Sequence, residues 1–87
     1  MNYRVELSRA AQAYLRRLDT PSQRRIGRRV EQIAAEPRGV HSKPLAGPGS
    51  YHAARVGPWR IIFRIDDEGQ IVLVTDIGPR GQIYRGL

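Results

Sequence analysis

A run of alternating side chains near the middle of the sequence constrains the fold most. From Trp59 to Asp66 apolar residues fill every second position, and Arg60 and Arg64 fall between them. Because successive side chains of an extended chain point to opposite faces, this run predicts a β-strand. One face of that strand belongs in a core, and the other carries two guanidinium groups.

The segment before this strand predicts its hairpin partner. Tyr51 to Val56 is suited to an extended conformation, and Gly57-Pro58 supplies the chain reversal between the two segments. If the two strands pair, Arg55 on the first lies near Arg60 on the second. A small basic sheet surface of this kind suits a polyanion such as RNA.

Two amphipathic helices are predicted before the hairpin. Ser8 is placed to cap the first, and Thr20-Pro21-Ser22-Gln23 is typical of a capping box in which Thr20 caps the second. The second helix should end before Pro37. The apolar stripes are Ala11, Leu15 and Leu18 in the first helix, and Ile26, Val30, Ile33 and Ala34 in the second.

Two further strands complete the predicted fold. Tyr3–Leu7 alternates as a first strand, and Ile71–Ile77, apolar on nearly both faces, is suited to the interior of a sheet. We expect the segment from Pro37 to Ser50 to be a loop. The order β-α-α-β-β-β predicts a single α+β domain over residues 1–87, with a mainly antiparallel sheet and an αα-hairpin packed on one face.

The charge distribution favours a nucleic-acid partner. The formal net charge is +7, and fourteen of the fifteen basic residues are arginine. No Asp or Glu occurs from Pro37 to Ile65, the segment that contains the hairpin. The arginines of the helices are open to two interpretations, a solvated helical face or a surface that steers phosphates. They are Arg16, Arg17, Arg24, Arg25, Arg28 and Arg29.

Composition also narrows the classes of protein. The chain has no cysteine, so disulfide scaffolds and zinc ribbons are excluded. No apolar run reaches the roughly 20 residues of a membrane span, and the N-terminus lacks the pattern of a signal peptide. We therefore expect a cytoplasmic protein with no membrane association, no metal and no cofactor.

The candidate site residues are a set of cations and one phenol. Each is also compatible with a structural role, since Arg60 and Arg64 could form the solvated face of a strand and Tyr84 could pack its ring on the sheet. Of the two histidines, His41 lies in the predicted loop and is expected to be merely exposed. The predicted set comprises Arg60, Arg80 and Tyr84 for chemistry, and Lys43, His52, Arg55 and Arg64 for RNA or phosphate binding.

Motifs along nearly the whole chain resemble the RelE/ParE superfamily of bacterial toxins from toxin–antitoxin pairs. The carriers are Tyr-Arg-Val-Glu-Leu at the start, Pro37 after the second helix, Leu45-Ala46-Gly47, the run Arg-Val-Gly-Pro-Trp-Arg-Ile-Ile-Phe-Arg-Ile-Asp-Asp, and Ile77-Gly78-Pro79-Arg80 with Ile83-Tyr84-Arg85. The last two are specific for this group. They do not separate its ribosome-dependent mRNA endonucleases from its gyrase-directed toxins.

The resemblance to the endonuclease branch implies a reaction and a set of partners. In that branch the ribose 2′-hydroxyl attacks the adjacent phosphate of an mRNA held in the ribosomal A site, without a metal. By the resemblance, Tyr84 matches the base, Arg80 the residue linked to the leaving group, and Arg60 the one that stabilises the phosphate charge. A cognate acidic antitoxin, the ribosome and mRNA are the implied partners, with a toxin–antitoxin hetero-oligomer as the resting assembly.

Two departures from the family pattern leave the alternatives open. A second cation is expected two positions from Arg55, where this chain has Ala53, and Pro79 replaces a common His or Lys. The alternatives to the endonuclease are a ParE-like inhibitor of DNA gyrase and a non-catalytic RNA- or ribosome-binding member of the superfamily. With fewer cations, we expect a slower nuclease, or one that relies on Lys43 and on the ribosome's own groups.

Overall fold

A computed structural model describes residues 2–45 and 50–79 of the chain. Its elements follow the predicted order, with one additional short strand. They are β1 (Arg4–Leu7), α1 (Arg9–Arg16), α2 (Thr20–Ala35), β2 (Ser42–Pro44), β3 (His52–Val56), β4 (Trp59–Asp66) and β5 (Ile71–Pro79). The predicted α+β class is confirmed.

The strands form one mixed sheet in the order β1-β5-β4-β3-β2. The pairs β5–β4, β4–β3 and β3–β2 are antiparallel, and β1 runs parallel to β5. β1 can pair in parallel with β5 because no tight turn joins them. The two helices carry the chain from β1, at one edge of the sheet, to β2 at the opposite edge. β5 thus lies inside the sheet, as its apolar character predicts.

β2 corrects the prediction that the whole segment from Pro37 to Ser50 is a loop. Ser42–Pro44 pairs with the outer edge of β3, with Lys43 opposite Ala53. Three residues that include a proline carry no alternation from which a strand can be recognised. Their conformation is set by pairing with β3, and a proline is tolerated there because β2 is an edge strand.

A bulge in β5 explains why that strand is apolar on both faces. Ile62 pairs with Asp76 and Phe63 with Val74, so Thr75 is the extra residue between them. The bulge brings both Val74 and Ile77 to the helix side, although they are three positions apart. The Ser8 hydroxyl donates to the Thr75 carbonyl at 2.7 Å and accepts from the Ala11 amide at 3.1 Å, which ties the start of α1 to the bulge.

The N-cap of α2 is Asp19, and the predicted Thr20 capping box is wrong. Asp19 has an extended backbone, and its carboxylate accepts from the Ser22 amide at 3.3 Å. Gln23 does not reach back to its own cap. Its amide donates instead to the Leu15 and Leu18 carbonyls at 2.7 and 3.1 Å, which satisfies acceptors at the end of α1.

One core lies between the helices and the sheet. Its fully buried side chains come from both helices and from the three inner strands, the largest being Ile26, Ile33, Ile61, Phe63, Val72 and Val74. The predicted stripes are confirmed, with Leu15, Leu18 and Val30 packed at the margin. Neither helix of the described chain is long and apolar enough to cross a membrane. The helices therefore cover one face of the sheet, and the candidate site must use the other.

Candidate functional site

The face of the sheet opposite the helices carries the predicted cations of three adjacent strands. On β3, Ala54 and Val56 join the core, so Ala53 and Arg55 point the opposite way. Arg55 pairs with Arg60 of β4, and Ala53 pairs with Lys43 of β2. Residues paired across neighbouring strands share a face. Lys43, Arg55 and Arg60 therefore lie together, as the hairpin prediction requires.

These cations line a shallow pocket, which we call the cationic pocket. Its volume is about 250 Å³. Lys43, Arg55 and Arg60 form one part of the wall, Ala53 lies between them, and the segment Val40–Ser42 closes the side. No Asp or Glu of the described chain lines this pocket. The site is thus suited to an anion and offers no carboxylate to compete with one.

The Arg55–Arg60 pair bears on function, because like charges placed directly opposite on a sheet are destabilising. Arg55 is exposed and Arg60 is half-buried. Their juxtaposition is what a phosphate-binding surface needs, since a bound anion offsets the repulsion.

Lys43 and Ala53 lie side by side where β2 pairs with β3. Ala53 is 1% exposed and is paired with Lys43 in the β2–β3 register. Lys43 therefore brings its positive charge to the pocket from the edge strand.

His41 is the residue that reasoning from sequence missed. It was expected to be merely exposed, yet it lines the cationic pocket beside Lys43. The Arg29 guanidinium of α2 contacts its Nδ1. The available signal was its position two residues before Lys43.

His52 is not brought to the cationic pocket. It shares the helix side of β3 with Ala54, and its ring stacks on Phe63 with centroids 5.5 Å apart. Burial lowers the pKa of the imidazole, and the Arg38 guanidinium lowers it further. His52 therefore lies on the opposite face of β3 from Arg55, and its predicted role in phosphate binding stays a prediction.

Arg64 lies on the same face as the pocket but farther along β4. It pairs with Leu73 rather than with another cation, and its guanidinium lies 5.6 Å from the centre of the Tyr51 ring. It does not line the pocket. Its place is therefore at the periphery of the predicted surface.

The acidic turn after β4 is occupied by a structural network. Arg38 donates twice to the Asp67 carboxylate, both at 2.9 Å, and the Tyr3 hydroxyl donates to the same carboxylate at 2.8 Å. The bond from Arg38 holds the pKa of Asp67 below its ordinary value, and the bond to Asp67 raises the pKa of Tyr3. This tyrosine is thus engaged as a donor and is not a candidate base.

The two other residues predicted for chemistry, Arg80 and Tyr84, lie outside the described residues. Their roles stay predictions. Within residues 2–45 and 50–79 no group of three or more His, Asp or Glu side chains is arranged to hold a metal ion.

Comparisons with known proteins agree with this architecture. The family described as "ParE toxin of type II toxin-antitoxin system, parDE" matches residues 5–84. A search of curated proteins finds no match. Among solved structures, the RelBE2 toxin–antitoxin complex of Mycobacterium tuberculosis contains a similar chain. It has a TM-score of 0.81 and 26% identity over 92% of this chain and 100% of that one.

Two further solved structures share the fold. A chain of the archaeal RelE–RelB complex from Pyrococcus horikoshii has a TM-score of 0.80 and 24% identity, covering 94% of this chain and 99% of that one. The isolated RelE toxin of E. coli has a TM-score of 0.79 and 18% identity, covering 94% and 88%.

Proposed function

Because this chain belongs to the RelE/ParE superfamily of toxins from type II toxin–antitoxin systems, we propose that it is a ribosome-dependent mRNA endonuclease. The toxin class and fold follow from the match over residues 5–84 and from the structural likeness. The reaction and its target are the proposal, and they are argued from the cationic pocket.

The single observation that carries the proposal is the meeting of Lys43, Arg55 and Arg60 in one pocket, which no Asp or Glu of residues 2–45 and 50–79 lines. Cleavage of RNA by its own 2′-hydroxyl passes through a pentavalent phosphorane that carries more negative charge than the substrate. Fixed cations aimed at that charge stabilise the transition state more than the ground state. Guanidinium groups also hold the phosphate in a defined orientation.

The chemical step needs no external reagent. The 2′-oxygen bonds to phosphorus as the bond from phosphorus to the 5′-oxygen breaks, which leaves a cyclic phosphate and a 5′-hydroxyl. The proton of the 2′-hydroxyl goes to a base, and the departing 5′-oxygen takes a proton from an acid. We assign Arg60 to the phosphorane charge, Lys43 and Arg55 to phosphate binding, Tyr84 to the base and Arg80 to the leaving group.

A cognate antitoxin is the proposed resting partner. The structures from M. tuberculosis and P. horikoshii are toxin–antitoxin complexes. A chain of charge +7 whose pocket is lined by three cations suits an acidic partner that covers the pocket.

Inhibition of DNA gyrase is the second candidate. It is favoured by the description of the matching family as a ParE toxin and by the neutral Ala53 in the pocket. A gyrase inhibitor binds a protein and needs no group that handles protons. A non-catalytic ribosome-binding member is the third outcome that an assay can return.

Primer extension on mRNA after induced expression tests the proposal. Wild-type protein is expected to give discrete cuts within translated mRNA, and Arg80→Ala is expected to abolish them. Arg9→Ala, an exposed substitution on α1, serves as the control for charge. Cut-free mRNA combined with inhibition of supercoiling by purified gyrase would assign the second candidate instead.

A further inference from the structure

A second basic pocket lies beside α2, outside the site described above. We call it the α2 arginine pocket. It has a volume of about 230 Å³. Its lining consists of Arg25, Arg28, Arg29 and Gln32 from the helix, with Val56 and Gly57 from the β3–β4 hairpin. Three arginines therefore line an open pocket with room for a phosphate group and the sugar attached to it.

Arg25 of this pocket is held in place by its neighbours. The Arg25 guanidinium lies 5.5 Å from the centre of the Trp59 ring, a cation–π contact. Gly57 has φ +53, and a Cβ there would lie 2.5 Å from a terminal nitrogen of Arg25. The bare glycine is what allows the guanidinium to approach the hairpin. Arg25 and the hairpin at Gly57 are thus in position before any ligand binds.

No carboxylate neutralises the three arginines in the described chain. The ion pairs of residues 2–45 and 50–79 are Arg4–Glu6 and Arg38–Asp67 only. Arg29 also has a buried Nε with no hydrogen-bond partner. Crowded cations with an unused buried donor favour an anionic ligand.

The two pockets are joined through one contact. Arg29 lines the α2 arginine pocket, His41 lines the cationic pocket, and the two side chains touch. A polyanion that enters one pocket can therefore continue into the other without leaving a basic surface. A guanidinium fork matches a phosphate, and repeated phosphates match two consecutive anion sites better than scattered carboxylates do.

We propose that the α2 arginine pocket is a second phosphate subsite for the same RNA strand. This inference rests on the proposed function. A strand with its reacting phosphate between Lys43, Arg55 and Arg60 runs past His41 and places another phosphate among Arg25, Arg28 and Arg29. The subsite contributes affinity and register, and it takes no part in bond cleavage.

Binding of labelled oligouridylates to the full chain, measured by fluorescence anisotropy at several salt concentrations, tests this. For an oligonucleotide of about twelve nucleotides, Arg28→Ala should reduce the slope of log K against log salt by about 0.7 for each phosphate that the protein no longer neutralises. For one of about four nucleotides, too short to reach both pockets, the substitution should change the slope little. Arg24→Ala is the matched control, since Arg24 lies on the same helix outside the pocket.

The outcomes separate this inference from the proposed function. A weakening specific to Arg28 and to the longer RNA supports the subsite, even if no mRNA is cut in the expression assay. Equal weakening by Arg24→Ala and Arg28→Ala would overturn it, because it indicates only general attraction. The inference would also be overturned if Arg28→Ala left RNA binding unchanged but weakened the binding of polyglutamate. That result would assign the pocket to an acidic protein segment. The fold of each variant is checked by thermal unfolding.

Discussion

At the scale of single residues, the direction of a side chain from the sheet decides what it can do. His52 and Ala53 are neighbours in the sequence, but His52 stacks on Phe63 on the core side while Ala53 lies in the cationic pocket. The sequence predicted cations for the surface correctly at Arg55 and Arg60. It could not place His52, because a histidine is compatible with either face and only the register of β3 decides between them.

The burial of His52 predicts a pH dependence of stability. The folded protein resists protonation of this imidazole, so the unfolded chain binds more protons as the pH falls below the ordinary histidine pKa of 6.5. The free energy of unfolding should therefore decrease as the pH falls, until the lowered pKa of the folded state is reached. His52→Gln should flatten this decrease in denaturant titrations between pH 7.5 and pH 5, a range set about the ordinary pKa.

The wild-type protein, titrated in parallel, is the reference for this measurement. If His52→Gln shows the same slope as the wild type, burial of the imidazole does not govern stability in this range. Loss of Asp67 ionisation is separable, since its lowered pKa places it at more acidic pH.

At the scale of elements, the periodicity of apolar residues predicts the long helices and strands. The cap of α2, the short strand β2 and the bulge in β5 depend instead on contacts between segments. Asp19 and Thr20 are both good caps, and the sequence could not choose because Gln23 fits a capping box as well as it fits the end of α1. β2 and the bulge at Thr75 likewise depend on partners distant in the sequence. Such pairings leave no local pattern.

The β3–β4 turn requires a glycine, which gives a prediction for that element. Gly57→Ala should lower the free energy of unfolding by about 1–2 kcal/mol, the usual cost of a left-handed conformation for a residue with a Cβ. The new methyl group also displaces Arg25 from its position over Trp59. Chemical denaturation monitored by the fluorescence of Trp59 measures the change.

Gly27→Ala, on the neighbouring helix, should change the free energy of unfolding in the opposite direction. Gly27 lies inside α2, and a Cβ there meets nothing within 4 Å. The substitution should stabilise the protein by about 0.5–1 kcal/mol through helix propensity. Equal effects of the two substitutions would refute the argument that the hairpin turn needs its glycine.

At the scale of the whole molecule, the sheet separates stability from proposed function. Its helix side holds the core, and its other side holds the cationic pocket. The alternation of β4 predicts this division, because its two arginines share one parity; Ile62, buried on the same face, is the apolar exception. The composition of the pocket was only partly predictable. Lys43 is paired with Ala53 across two strands, and the His41 side chain contacts that of Arg29. Each relation joins residues that are distant in the sequence, so no local pattern predicts it.

The central claim is that cations from β2, β3 and β4 act on one scissile phosphate, and a charge-swap experiment tests it most directly. Cleavage of ribosome-bound mRNA by purified protein is compared among wild type, Lys43→Ala and the double variant Lys43→Ala/Ala53→Lys. The single substitution should slow cleavage by about tenfold or more, the worth of one charged hydrogen bond. Because positions 43 and 53 lie side by side on neighbouring strands, the double variant should recover most of the cleavage rate. A folded Lys43→Ala variant that cleaves as fast as the wild type, or a double variant with no recovery, would contradict the claim.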